Sequence, residues 1–297
     1  MSDNFQRKLF KINARDRCLV LGQQTTVMGV LNLTPDSFSG DGRLLRAHDP
    51  VFHCDYAIRL INEGADIIDV GGESTRPDAP SISVAQEIKR VIPAITLLRK
   101  RSNAFISVDT TKIEVAQKAL DAGVDIINNV MGTRLSGAFL KMVKKYDAAL
   151  IIMHSRGNSR SMRSKMKYKD LIEDILDELS ISLEKCLDSG IKSDKIIIDP
   201  GIGFAKTARQ SFLVLRELKK FARLKRPVLI GTSRKSFIGQ VTQTEAADRL
   251  WGTTATVAAG IMNGAHIIRV HDVKTMKQVA MVMDVILNPA MVDPPSS

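Results

Sequence analysis

The chain has 297 residues, of which 44% are hydrophobic, 25% charged and only 5% aromatic. At about 150 residues per domain this length suggests two domains, although a single α/β barrel also spans it. The balance is that of a globular chain and excludes wholesale disorder and fibrous classes. No apolar run reaches the roughly 18 residues of a membrane helix; the longest, such as Ala148–Met153, are strand-sized. The segment MSDNFQRKLFKINARDR lacks the apolar centre of a secretory signal. Cys18, Cys54 and Cys186 are far apart without a C-x-x-C, so neither a disulfide framework nor a cysteine zinc site is expected. A reducing cytoplasm is the expected compartment, with no membrane association.

Forty-three Lys and Arg against 32 Asp and Glu give a formal charge of +11. Such a charge suits nucleic acid, an anionic small molecule, or solubility alone. The densest basic run, Arg156 to Lys169, holds six Lys/Arg and one aromatic, Tyr168. That is a poor stacking surface for single strands, so it reads as a solvated loop and no nucleic-acid partner is expected.

Residues 1–24, including most of RCLVLGQQTTV (17–27), read as a short β-hairpin able to cap the bottom of a barrel. Eight apolar runs follow: VMGVLN (27–32), IIDVG (67–71), FISVDT (105–110), DIINNV (125–130), ALIIMH (149–154), KIIIDPG (195–201), PVLIGTS (227–233) and HIIRVH (266–271). Runs that are apolar on both faces are typical of parallel strands covered by helices. The intervening segments have helical periodicity: Thr111–Ala122, Leu171–Leu187, Ala246–Met262 and Val273–Leu287. Eight strand–helix units without a linker predict one domain over 1–297, a single (β/α)8 TIM barrel in the α/β class. An open doubly wound sheet is the competing arrangement, but no G-x-G-x-x-G turn is present. Residues 288–297, with three prolines, are expected to be a flexible tail.

Barrel enzymes carry their chemistry at the C-terminal ends of the strands, and nearly every predicted strand here ends in polar groups. In order these are Asn32; Thr75 and Arg76; Asp109; Asn128 and Asn129; His154; Asp199 followed by PGIGF; the series Thr232 to Ser236; and Arg269 with His271. Asp109 alone would read as a helix N-cap, and His154 as a structural hydrogen-bonder. Eight polar endings together exceed what capping requires. Arg76, Arg269 and His271 suit phosphate oxygens. Asp109, Asn128, Asp199 and Lys235 suit a flat heterocycle rich in donors and acceptors, since a carboxylate can accept two parallel N–H bonds. The residues alone imply a heterocycle carrying phosphate.

These motifs make the chain resemble the dihydropteroate synthases, pterin-binding transferases of folate biosynthesis that sulfonamides target. The resemblance runs from about Thr25 to Met283 through NLTPDSFS, DVGGESTRP, SVDT, IINN, MHSRG, DPGIGFAK, TSRKSFIG and IRVHDV. It implies condensation of 6-hydroxymethyl-7,8-dihydropterin pyrophosphate with 4-aminobenzoate to give 7,8-dihydropteroate and pyrophosphate. The implied route is dissociative and Mg2+-assisted: pyrophosphate leaves, and the aniline nitrogen captures a pterin-stabilised cation. Carried over by position, Asp109, Asn128, Met153, Asp199, Lys235 and Arg269 would hold the pterin. Phe38, Ser39, Thr75, Pro77, Phe204, Lys235 and Ser236 would form the aminobenzoate pocket. Asn32, Arg76, Arg269 and His271 would take the pyrophosphate, with Asn32 the Mg2+ ligand. Asp109, Lys235, Arg269, His271 and Arg76 would be the catalytic set.

Three features depart from the family pattern: Asn129 where aspartate is usual, Asp78 where glycine is common, and a first loop reading FSGDGR. The resemblance also implies a homodimer, for which the final two helices supply candidate apolar faces with Val257, Ile261, Met276 and Met283. Two other readings share parts of the pattern: a methyltetrahydrofolate–corrinoid methyltransferase, and a non-catalytic pterin-binding paralogue. The first needs no pyrophosphate clamp and lacks the TSRKSFIG ending. Against the second stands the intact set Asn32, Arg76, Asp109, Asp199, Lys235, Arg269 and His271.

Overall fold

The computed structural model describes residues 7–34, 49–74, 80–157 and 161–292. A two-stranded antiparallel ribbon comes first, β1 (Phe10–Ala14) and β2 (Arg17–Leu21), with Phe10 opposite Leu21 and Ala14 opposite Arg17. The eight apolar runs then form parallel strands: β3 (Thr26–Asn32), β4 (Ile67–Gly71), β5 (Phe105–Asp109), β6 (Ile126–Asn129), β7 (Ala149–Met153), β8 (Ile196–Asp199), β9 (Leu229–Ile230) and β10 (Ile267–Val270). Their spatial order is β8-β7-β6-β5-β4-β3-β10-β9. Because β3 pairs with both β4 and β10, the first barrel strand meets the last. A bridge between Ile198 and Val228 spans the remaining seam, so the sheet is a barrel rather than an open doubly wound layer.

The connecting helices are α1 (Pro50–Asn62), α2 (Val84–Arg101), α3 (Ile113–Asp121), α4 (Gly137–Lys145), α5 (Leu171–Asp188), α6 (Ala208–Arg216), α7 (Ser236–Thr242), α8 (Leu250–Met262) and α9 (Val273–Leu287). Several starts are written in local chemistry. Capping boxes pair Ser83 with Gln86 at α2 and Thr207 with Gln210 at α6. Asp170 accepts from the backbone N–H groups of Ile172 and Glu173 at α5. The segment expected as helix from Ala246 begins instead as a 3-10 turn, Ala246–Asp248, before α8. Pro289–Met291 adds another such turn after α9, and residues 293–297 lie outside the described set. No helix among the described residues is long and apolar enough to cross a membrane.

Strand parity divides the core in two. Val27, Leu31, Ile68, Val70, Ile106, Val108, Ile127, Leu150, Ile152, Ile198 and Ile268 face outward into the helix layer. Met28, Ile67, Ile126, Ala149, Ile151, Ile197, Leu229 and Ile267 fill the barrel interior, closed below by Ile12, Ala14 and Leu21 of the ribbon. The hairpin therefore plugs the N-terminal end, as its position predicted. Each such buried aliphatic side chain contributes about 1.5–3 kcal/mol, so the lower barrel is a rigid base for whatever stands above it.

One expectation about the outer layer is corrected. Val257, Ile261, Met276 and Met283 are 9% exposed or less. They sit on the helix faces that pack inward on the core, so they offer no surface to another copy. The outward apolar residues of the same helices are Trp251, 78% exposed, with Met281, Val282 and Ile286.

Candidate active site

Two residues further up, the inward parity turns polar. Parallel register sets Asn32 beside Gly71, Gly71 beside Asp109, Asp109 beside Asn128, and Met153 beside Asp199. A Cβ at Gly71 would stand 3.4 Å from Asn32 Oδ1 and 3.7 Å from Asp109 Cβ, ordinary contact distances, so the glycine lies directly between those two side chains.

At the centre lies Arg269. Its Nε donates to Asp69 Oδ2 at 2.6 Å and its Nη2 to Asp109 Oδ2 at 3.2 Å. Asn128 Nδ2 also donates to Asp69 Oδ2 at 3.1 Å, and the Ser107 hydroxyl donates to Asp69 Oδ1. Asp69 is thus a fully buried hub beneath the ring, and the sequence reading passed over it. The available signal was parity: in IIDVG it shares a face with Gly71 and points at Ser107 across the ladder.

Burial pushes the Asp109 carboxyl up to about 7; Arg269 opposes this, while Asp69 and Glu87 reinforce it. For Arg269 burial favours loss of the proton, yet Asp69 and Asp109 outweigh it and hold the pKa above the usual value. Asp109 does not cap α3, whose N-cap is Lys112 with no side-chain bond. Its carboxylate is turned into the barrel mouth instead. Beyond it, Lys112 Nζ joins Glu73 at 2.6 Å and Glu87 at 2.5 Å.

On the other side of the mouth, Asp199 Oδ1 accepts from Gly201 N at 2.7 Å. Burial raises its pKa, with Lys235 pulling the other way. The Lys235 ammonium donates to Ile202 O and lies 4.4 Å from the centre of the Phe204 ring. Burial lowers its pKa to about 8, against the pull of Asp199 and Asp109. Ser236 opens α7 next to it and is exposed. His271 donates its backbone N–H to Ser233 Oγ at 3.2 Å, with its Nδ1 3.0 Å from the same oxygen. The loop after β9 is held from behind: Arg234, at φ +57°, pairs with Asp272, and its carbonyl accepts from Arg249.

The structure thus brings together Asn32, Asp109, Asn128, Met153, Asp199, Phe204, Lys235, Ser236, Arg269 and His271 at one end of the barrel. Phe38, Ser39, Thr75, Arg76 and Pro77 lie outside the described residues, as do Asp78 and the FSGDGR loop. Asn129, the third departure, is buried and structural: Nδ2 donates to Thr110 O at 3.1 Å and Oδ1 accepts from Met131 N at 2.8 Å. A cavity of 540 Å³ opens at the opposite end, lined by Arg7, Gln24, Asp66, Lys277 and Asp284 among others. Its charges are already paired, Arg7 with Asp284 and Asp66 with Lys277, so size alone does not locate the chemistry.

A (β/α)8 barrel whose mouth gathers carboxylates, an amide and cations at its strand ends has the form of a barrel enzyme with a polar ligand site. The family model for pterin binding enzymes matches residues 28–271. A dihydropteroate synthase from Synechocystis is 44% identical over 89% of this chain and 90% of its own length. The solved dihydropteroate synthase from Clostridium difficile in the presence of pteroic acid is 41% identical, with TM-score 0.82 over 90% of this chain and 98% of that one. That from Xanthomonas albilineans with 4-aminobenzoic acid is 33% identical, with TM-score 0.85 over 95% and 99%. The chain belongs to the dihydropteroate synthase family of pterin binding enzymes, the transferases of folate synthesis.

Proposed function

We propose that this ring performs the family's condensation with each group in the role its surroundings prepare. The observation that carries the reading is the inward-facing set of buried Asp199 and Asn128 with half-buried Lys235, Asp109 and Arg269, gathered above an apolar barrel floor. Asp199 would accept the pterin 2-amino and N3 hydrogens, a bidentate contact matching a carboxylate. Asn128 would meet the neighbouring ring nitrogens and Lys235 the O4 and N5 edge, while Met153 packs on the ring. Arg269, its plane set by two carboxylates, would lie over the ring and reach phosphate. Asp109, as an anion, would favour the cation formed as pyrophosphate leaves. Phe204, Lys235 and Ser236 would receive 4-aminobenzoate, or a sulfonamide in its place, with Phe38, Ser39, Thr75 and Pro77. Arg76, Arg269 and His271 would clamp pyrophosphate.

Asn32 would hold Mg2+. The fit is that of a single hard oxygen, Asn32 Oδ1, beside Gly71, which brings no side chain of its own. Among the described residues no group of three His, Cys, Asp or Glu forms a cage, so the ion would share its shell with pyrophosphate oxygens and water. When bound, it neutralises charge on the departing pyrophosphate. The enzyme would work in the cytoplasm as a homodimer, for which the outward Trp251, Met281 and Val282 are the apolar candidates.

The deciding experiment is pyrophosphate release with both substrates, with and without Mg2+. Multiple-turnover release that requires 4-aminobenzoate and is accelerated by Mg2+ is expected. No release, or release indifferent to 4-aminobenzoate, overturns the reading in favour of a pterin-binding protein of another kind.

A further inference from the structure

The loop after β8 has an unusual backbone. Within five residues Gly201, Gly203 and Ala205 all take positive φ, at +67°, +81° and +47°. Ala205 is fully buried, and a non-glycine residue there is strained unless its surroundings enforce the conformation. Gly201 is forced by contact as well, since a Cβ would stand 1.9 Å from His154 O. This strained turn carries Asp199 at its start and Phe204 near its end.

What enforces it is a set of side-chain donors on the loop's carbonyls. Lys235 donates to Ile202 O, and Tyr168 Oη donates to Ala205 O at 2.9 Å. The remaining two belong to Lys206, whose Nζ donates to Gly201 O at 2.9 Å and Phe204 O at 3.1 Å. The same nitrogen lies 2.8 Å from His154 Nδ1. Burial lowers the Lys206 pKa to about 7 against the pull of Asp199; in its ammonium form the side chain has three N–H groups, and these three acceptors match them.

His154 is itself fixed. Its backbone N–H donates to Asp199 O at 2.8 Å, and its Nε2 faces Glu178 Oε2 at 3.2 Å. With Nδ1 accepting from Lys206, the ring proton belongs on Nε2, which lies near the Glu178 carboxylate but outside hydrogen-bond geometry. Burial, then the Lys206 charge, lower the His154 pKa to about 4, so the ring is neutral and can accept. Glu178 is anchored in turn by Arg156 at 2.5 Å.

We propose that Lys206 is the positioning residue of both substrate pockets: by clipping Gly201 O and Phe204 O to His154, it holds Asp199 toward the pterin and Phe204 toward the aminobenzoate. This rests on the assignment of those two residues to those two substrates. Lys206 touches neither substrate. Its effect is to make one strained loop serve two pockets in a single fixed geometry.

Lys206→Met keeps the length and apolar stem but removes all three donors. The measurement is KM for each substrate in the full-length folded variant, with concentration corrected by active-site titration. A loop displaced by about an ångström raises both KM values, each by about tenfold or more, while a role confined to stability lowers Tm and moves neither. Asp199→Asn and Phe204→Ala run alongside, the first expected to raise the pterin KM alone and the second the aminobenzoate KM alone. If those two split as expected and Lys206→Met leaves either KM unchanged, the Lys206 proposal fails and the pocket assignment stands. If they do not split, the pocket assignment fails first. Should Lys206→Met not fold, Lys206→Gln retains two donors, and a smaller rise in both KM values is expected; unchanged values overturn the proposal.

Discussion

Both ends of the barrel bury charge, and they use it in opposite ways. At the N-terminal end Arg7 donates from Nη1 to Thr25 Oγ1 at 2.7 Å and Ala265 O at 2.9 Å, and from Nη2 to Asp284. Asp284 also accepts from Thr25 N at 2.7 Å and Thr25 Oγ1 at 2.6 Å. The Arg7–Asp284 pair is closed by partners from the chain itself, which lets a buried ion pair persist. At the C-terminal end the groups are clustered with their pKa values displaced: Asp109 and Asp199 upward, Lys235 and Lys206 downward. Among the described residues, the Asp199 carboxylate accepts one hydrogen bond, from Gly201 N. Charge closed on itself is architecture; charge held open against desolvation is prepared for a ligand.

The contrast can be broken from either side. Arg7→Met leaves Asp284 buried without its cation, and should destabilise the fold by about 3–5 kcal/mol. Chemical denaturation measures this, and kcat/KM of the folded fraction should not change. A loss of activity matching the loss of stability would show that the two ends are coupled. Asp199→Asn should act the other way round, weakening dihydropterin pyrophosphate binding by about 1–3 kcal/mol because one pterin N–H is left unpaired. Calorimetry on both ligands reads it, and equal losses for 4-aminobenzoate would remove Asp199 from the pterin role. A smaller effect tests the hub beneath the ring. Ser107→Ala deletes one donor to Asp69, with an expected loss of about 1 kcal/mol in stability, and kcat should fall if Asp69 sets the Arg269 plane.

The barrel was legible because its evidence is repeated: eight apolar runs, each followed by a helical period and a polar ending, over-determine one topology. The polar strand ends that gather at one mouth were legible for the same reason, since a polar residue at the end of an apolar run stands out. Asp69 did not stand out. It sits inside such a run, and only period-two parity separates its inward side chain from the outward Ile68 and Val70. Lys206 was hidden differently, because a lysine in a loop reads as solvated until the fold closes over it and leaves it 4% exposed. The proposed faces around Val257 and Met276 failed because an apolar stripe on a helix does not say whether core or partner covers it.

The finest test concerns proton occupancy, where the two displaced groups predict opposite limbs. Asp109 serves a developing cation only as an anion, so activity should rise with pH through about 7. Lys235 serves the pterin oxygen only as an ammonium, so activity should fall through about 8. For kcat/KM these are free-enzyme values, and the product of the two fractions gives a narrow optimum with about a two- to threefold loss one pH unit to either side. The stability consequences follow from the same shifts. Asp109 binds its proton more tightly folded than unfolded, so its contribution declines as pH rises from about 4 to about 7. Lys235 does the reverse, its folded form releasing the proton early, so its contribution grows as pH rises from about 8 toward 10.5. Carboxyl-labelled NMR, with Asp109→Asn to assign the resonance, follows the acid limb without relying on turnover. A titration of Asp109 near 4 would mean that Arg269 outweighs desolvation, and that the mouth of the barrel is as closed on itself as the Arg7–Asp284 end.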